Sequence, residues 1–216
     1  MRVLGASAAL AALVLTGCGQ QPALEPPRAV PTPTSALPTS APSALATGAV
    51  ATPLPDGALR DLVPSPDEVQ PGLVPLLEVS GPRDAAAVAS FSTDPGTARD
   101  ELVANGFSDA YVVQYAARDD SRALTAVVVR FATPDGARAD LEADLAASAG
   151  EVVADAPPVG EASEVRRFDL PDDGPDELVT VRFRSGATTW LLAWRAPAPP
   201  DVDVPVGLAR LLAGRA

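Results

Sequence analysis

The side chains that enzymes most often use for catalysis are scarce in this chain of 216 residues. All 16 basic residues are arginine, so the sequence contains neither histidine nor lysine, and Cys18 is its single cysteine. Imidazole bases, Ser-His-Asp triads, histidine metal ligands and lysine Schiff bases are therefore excluded. The main catalytic route left open is a pair of carboxylates of the kind that hydrolyses glycosidic bonds. We expect a protein that is not an enzyme.

One cluster of carboxylates could serve such a hydrolase or hold a calcium ion. It comprises Asp169, Asp172, Asp173, Asp176 and Glu177. The cluster lacks the alternating ligands and the terminal glutamate of an EF-hand loop, and two prolines interrupt it. We therefore favour a solvated turn, and we predict neither a metal site nor a cofactor.

Four aromatic residues could line a pocket for a sugar or a lipid: Tyr111, Tyr115, Trp190 and Trp194. Within each pair the spacing of four residues places both side chains on the same face of a β-strand. Aromatic residues at strand spacing are more often part of a hydrophobic core. The ligand pocket and the core therefore stand as alternative interpretations of these residues.

Four arginines fall on predicted strands: Arg130, Arg182, Arg184 and Arg195. A strip of guanidinium groups on one sheet face could bind a carboxylate or a phosphate. The alternative, which we favour, is that they are solubilising residues near the sheet edges.

The elements that must position these residues follow from the hydrophobic pattern. Asp94 and Thr133 each precede a proline, which predicts helix N-termini, and Gly106 and Gly150 predict the ends of the same helices. The predicted helices cover about 95–105, 134–149 and 205–213, with a shorter one at 84–91, and the predicted strands cover about 110–117, 123–132, 164–170, 178–184 and 187–195. This order predicts an α+β fold, with an antiparallel sheet of about five strands covered on one face by two or three helices.

Cys18 ends the run Leu15-Thr16-Gly17-Cys18, and an apolar stretch from Val3 to Leu15 precedes that run. The stretch is 13 residues long, short of the roughly 20 that a membrane-spanning helix needs. With Arg2 before the apolar stretch, the pattern resembles a bacterial lipoprotein signal with its lipobox. This resemblance implies that residues 1–17 are a signal peptide and that the thiol of Cys18 carries lipid. The mature protein would then be anchored on the outer face of the cytoplasmic membrane.

The rest of the chain divides into a tether and a domain. Residues 19–56 contain nine prolines among Ala, Thr and Ser and no aromatic residue, so we predict that 18–56 comprises the lipid attachment site and a disordered linker. All nine aromatic residues lie between Phe91 and Trp194, which predicts a single α+β domain over residues 57–216. The formal net charge of −12 argues against a nucleic-acid partner.

Two motifs carry a wider resemblance. Asn105-Gly106-Phe107 leads into the first strand, and the run Phe131-Ala132-Thr133-Pro134-Asp135-Gly136-Ala137 closes one strand and opens a helix. Together with arginine in place of lysine, they resemble uncharacterised actinobacterial lipoproteins over roughly residues 57–216. The layout is also similar to the extracellular sensor domains of mycobacterial receptor kinases and to small Mog1/PsbP-like lipoproteins, although this chain lacks the disulfide cysteines of the kinase domains.

A domain held at the membrane without a catalytic nucleophile or base suggests a binding role. We predict a non-catalytic binding or adaptor domain of the cell envelope, whose partner is an envelope protein or a small ligand. Its contact with the membrane would be through the lipid on Cys18. The alternative is a carboxylate-based hydrolase that acts on cell-wall glycans, with the acids of residues 169–177 as its candidates.

Overall fold

The computed structural model describes residues 54–170 and 176–216. The predicted signal peptide at 1–17, Cys18, most of the predicted tether at 18–56, and the acids Asp172 and Asp173 lie outside the described residues. Within the described ranges, no helix combines the length and the apolar character needed to cross a membrane.

The described residues form one antiparallel sheet of eight strands with four α-helices. The strands are β1 (Leu73–Pro75), β2 (Gly81–Arg83), β3 (Phe107–Ala117), β4 (Ala123–Phe131), β5 (Glu151–Val152), β6 (Ala162–Asp169), β7 (Asp176–Ser185) and β8 (Thr188–Pro197). The helices are α1 (Ala85–Ala89), α2 (Pro95–Ala104), α3 (Pro134–Ala147) and α4 (Asp203–Ala213), and a short 3-10 helix spans Arg60–Leu62.

The strand order is β1-β3-β4-β8-β7-β6-β5, and β2 pairs with β3 next to β1. Three hairpins join β3 to β4, β6 to β7, and β7 to β8, while the pairing of β4 with β8 unites the two halves of the sheet. Ser185 pairs with Thr188, so the turn between β7 and β8 is Gly186-Ala187. The sequence predicted this turn one residue earlier, at Ser185-Gly186.

The sheet is covered on both faces. One face carries Tyr111, Tyr115, Trp190 and Trp194, and we call it the aromatic face. Residues 54–77 and helix α4 cover it with apolar side chains. We call the opposite face the cleft face; its apolar residues, which include Val112, pack against helices α1, α2 and α3.

The predicted sheet of about five strands covered on one face is wrong, although the α+β class is correct. β1, β2 and β5 were missed because each has only two or three residues, and β1 and β2 contain prolines of the kind tolerated at sheet edges. The second buried face was missed because only every second residue of each strand was assigned to the core. The unbroken apolar runs Val112-Val113 and Val127-Val128-Val129 are typical of strands buried on both sides.

The N-termini of α2 and α3 and the end of α2 agree with the sequence prediction, whereas α3 ends at Ala147, before an extended Ser148, rather than at Gly150. The Asp94 carboxylate accepts a hydrogen bond from the backbone N–H of Thr97 at 3.2 Å, and the Thr133 hydroxyl accepts one from that of Gly136 at 3.1 Å. Gly106 follows α2 with a φ of +82°, the left-handed conformation that a helix stop favours. These ends matter because α2 and α3 form the two walls of the site described next.

Candidate ligand-binding cleft

The four aromatic residues proposed as pocket walls lie together, but inside the core. Tyr111, Tyr115, Trp190 and Trp194 are each at most 2% exposed. Three of their polar atoms donate hydrogen bonds to backbone carbonyls of the covering segment: Tyr111 Oη to Pro55 at 2.6 Å, Tyr115 Oη to Pro64 at 2.6 Å, and Trp190 Nε1 to Leu62 at 2.9 Å. Burial raises the pKa of the Tyr115 hydroxyl well above its ordinary value. A ligand could reach these side chains only if residues 54–77 moved away, so the aromatic pocket stays a prediction.

The four arginines do not form an anion-binding strip. Strand alternation puts Arg130 on the aromatic face and the other three on the cleft face. Each of those three is matched by a carboxylate: Arg182 by Asp144 at 2.5 Å, Arg184 by Glu161 at 2.6 Å, and Arg195 by Asp120 at 2.6 Å. Their charges are therefore already balanced within the fold.

Three acids of the cluster at 169–177 are described, and they lie at the paired ends of β6 and β7. Asp169 pairs with Glu177 across the two strands, and Asp176 lies 3.5 Å from Arg195. None of these three described acids lines the cleft described below. The described acids of this cluster therefore lie on paired strand ends, and the solvated-turn interpretation stays a prediction, because Asp172 and Asp173 lie outside the described residues.

A cleft of about 210 Å³ opens on the cleft face, between helices α1 and α2 on one side and α3 on the other. Its floor consists of β4 and β8 residues: Val127, Val129, Thr189 and Leu191. Phe91 and Leu102 add apolar surface from the α1–α2 side. Apolar surface with a few polar groups at one side is the usual composition of a small-molecule site, although this volume is below the 300–1,000 Å³ typical of drug-sized ligands.

Two carboxylates of α3, Asp140 and Asp144, line the cleft, and Glu101 of α2 lines it from the opposite wall. The sequence analysis did not select Asp140 or Asp144, because acids on an amphipathic helix usually form its solvated face. Both are instead partly buried against the sheet. Their spacing of four residues places them on one side of a helix, and this was the feature of the sequence that could have identified them as a pair.

Asp140 is the most perturbed acid of the cleft. The Thr189 hydroxyl donates a hydrogen bond to its Oδ2 at 3.1 Å. Burial raises the pKa of Asp140 to about 7, and the neighbouring charges of Asp144 and Glu101 act in the same direction. Acids with strongly raised pKa values in a cleft are candidates for functional groups, because active sites commonly combine burial with neighbouring like charges.

Asp144 is engaged differently, because Arg182 lies beneath it. The Arg182 side chain is 1% exposed, and its Nη1 donates to Thr180 Oγ1 at 2.9 Å. Its Nη2 has no hydrogen-bond partner among the described residues. At the end of the helix, Arg166 donates to the Ser148 carbonyl at 2.7 Å, a favourable position for a cation. Polar contacts therefore fix α3, the outer wall of the cleft, to the sheet.

This fold is similar to that of a solved extracellular domain. The structure described as the extracellular domain of PknH from Mycobacterium tuberculosis superimposes with a TM-score of 0.55 and 12% identical residues, over 77% of this chain and 98% of that chain. No protein-family model and no curated protein matches the sequence. The similarity of layout to extracellular domains of mycobacterial kinases is thereby confirmed at the level of the fold.

Replacing Asp140 with asparagine should stabilise the protein at high pH and have little effect at low pH. Because the native pKa lies above that of the unfolded chain, the native state binds more protons between pH about 4 and about 7, so stability falls as the pH rises through that window. The asparagine of the variant cannot ionise, so the variant does not lose this stability as the pH rises. Thermal unfolding at pH about 4.5 and about 8 measures the difference between variant and parent.

The matched control for this prediction is Asp135→Asn, because Asp135 lies on the same helix and is 81% exposed. Its effect on the unfolding temperature should be the same at both pH values. An Asp140→Asn variant that is no more stable than its parent at pH about 8 would contradict the buried, protonatable state of Asp140.

Proposed function

We propose that this chain is a membrane-anchored extracytoplasmic lipoprotein that acts as a non-catalytic binding domain of the cell envelope, with its ligand site in the cleft between α2 and α3. The observation that carries the proposal is the composition of this cleft, an apolar floor with carboxylates on both walls. The fold that the chain shares with an extracellular domain supports the extracytoplasmic part. The lipobox-like run that ends at Cys18 supports the anchor.

The cleft supports binding better than the aromatic face does. The aromatic side chains are at most 2% exposed and their polar atoms are largely engaged by residues 54–77. The cleft lies between two walls that belong to different helices, and it has a volume of about 210 Å³. A small ligand can therefore occupy the cleft without displacing residues 54–77.

The anchor is tested by replacing Cys18 with alanine. We expect the parent protein to fractionate with membranes and to show an acylated Cys18 when its N-terminus is analysed by mass spectrometry. The variant should be released, because it has no thiol to carry the acyl chains that hold a lipoprotein at the bilayer. Membrane association of the variant at the level of the parent would refute the anchor.

The site is tested by filling the cleft. Ala143 is an exposed residue of α3 that lines it, and Ala146 is an exposed residue of the same helix that does not. Crosslinking in its own membranes should capture an envelope ligand or partner with the parent protein and with Ala146→Phe, but not with Ala143→Phe. Equal capture by both variants would place the binding site elsewhere.

The alternative is a carboxylate-based hydrolase that acts on cell-wall glycans, for which the acids of residues 169–177 remain candidates and the cleft adds Asp140 and Glu101. These two acids line the cleft from opposite walls, and the raised pKa of Asp140 would suit the general acid of a glycosidase. Turnover of a cell-wall glycan that Asp140→Asn abolishes would establish this alternative. Binding without turnover would leave the non-catalytic function standing.

A further inference from the structure

The charges around the cleft all have one sign. Its charged lining residues are Glu101, Asp140 and Asp144, and among the residues that the structure describes no arginine lines it. Most of the floor is apolar, and Phe91 and Leu102 add apolar surface from the α1–α2 side. A ligand that enters therefore meets hydrocarbon below and carboxylates on both sides.

Within the described part of the chain, only one of these carboxylates has a cationic partner. Arg182 pairs with Asp144 at 2.5 Å and is 1% exposed, and it does not line the cleft. Asp140 accepts a hydrogen bond from the neutral Thr189 hydroxyl, and Glu101 is exposed at the opposite wall. Asp140 and Glu101 therefore leave the cleft with a net negative charge that a cation would balance.

We propose that the cleft binds an organic cation with an apolar chain, its ammonium group lying between Asp140 and Glu101 and its chain lying on the floor formed by Val127, Val129 and Leu191. This inference rests on the proposed function, because it names the ligand class of the same site. A volume of about 210 Å³ admits a short aliphatic amine or the amine-bearing end of a longer molecule, and is smaller than a drug-sized pocket.

Binding of a cation should be linked to the ionisation of Asp140. The groups that face Asp140 are Asp144 of its own helix, Glu101 of α2 and Thr189 of β8, with Arg182 of β7 behind Asp144. Burial raises the pKa of Asp140 to about 7, so the carboxylate that pairs with the cation is half populated near that pH. The apparent affinity should therefore rise about tenfold between pH about 6 and about 8, in proportion to the ionised fraction.

The test uses three probes of equal chain length and different charge: hexylammonium, hexanol and hexanoate. Each is titrated by calorimetry into the full chain carrying Cys18→Ala, so that no detergent competes for the cleft. At pH about 8, hexylammonium should bind at least about tenfold more tightly than hexanol, a difference of about 1.4 kcal/mol. Hexanoate should bind more weakly than either.

The Asp140→Asn variant should lower the affinity for hexylammonium about tenfold and abolish its pH dependence, while leaving the affinity for hexanol unchanged. Asp135→Asn is the matched control and should change none of these values. Glu101→Gln is a second variant, at an exposed position, and it should also lower the affinity for hexylammonium.

The outcomes separate this inference from the proposed function. Equal affinity for hexylammonium and hexanol, or no effect of Asp140→Asn on hexylammonium, would overturn the cation inference and leave the cleft as a binding site. If Ala143→Phe reduces the binding of none of the three probes, the cleft itself is not the site, and the proposed function falls with the inference.

Discussion

Replacement of Trp190 by alanine is expected to lower the free energy of unfolding by about 3–5 kcal/mol, the usual cost of truncating a buried large aromatic residue. The Trp190 ring is 2% exposed and stacks on Phe183 with ring centroids 4.9 Å apart and planes 2° from parallel. Truncation also leaves the partly buried Leu62 carbonyl without its donor, and the loss of this hydrogen bond adds to the cost.

This experiment also discriminates between the two interpretations of the aromatic residues. A tryptophan that lines an open pocket would lose ligand affinity on truncation but little stability. Urea denaturation followed by circular dichroism measures the change, with Leu211→Ala as the control, because Leu211 is a large apolar residue that is 43% exposed. A loss below about 1 kcal/mol for Trp190→Ala would show that the ring does not belong to the core.

The sequence predicted the local elements better than their assembly. The N-termini of α2 and α3 follow from side chains that cap them within the same few residues, such as Asp94 with Thr97, so local reasoning was sufficient there. β1 and β2 have no pattern of their own, and exist because their backbones pair with β3. A strand of three residues cannot encode such a pairing by itself, since its partner lies between 27 (Arg83 to Ala110) and 44 (Leu73 to Ala117) positions further along the chain.

The candidate site was missed for a related reason. Asp140 and Asp144 look like solvated acids when α3 is considered alone. Their burial depends on Thr189 and Arg182, which lie 49 and 38 positions further along the chain. The aromatic residues were correctly placed on a common face, but the segment that covers them, with its many prolines, has no helical or strand pattern. The sequence therefore pointed to the aromatic face rather than to the cleft face.

The second large effect is expected where α3 begins, at its contact with the end of α2. Gly136, in the first turn of α3, packs against the last turn of α2, and a Cβ at this position would lie 2.0 Å from the Asn105 carbonyl oxygen. The contact involves backbone on both sides, so neither partner can rotate away. Gly136→Ala should therefore cost about 1–3 kcal/mol of stability or more, as overpacking does.

The same substitution should also change the cleft, because Asn105 lines it and α3 forms its wall. Relief of the clash must move α2 away from α3, so we expect weaker binding of hexylammonium as well as a lower unfolding temperature. Gly207→Ala is the matched control: Gly207 is an exposed glycine in α4, and a Cβ there would meet nothing within 4 Å. That variant should gain about 0.5–1 kcal/mol from helix propensity and leave binding unchanged. Equal stability of the two variants would contradict the close approach of α2 and α3.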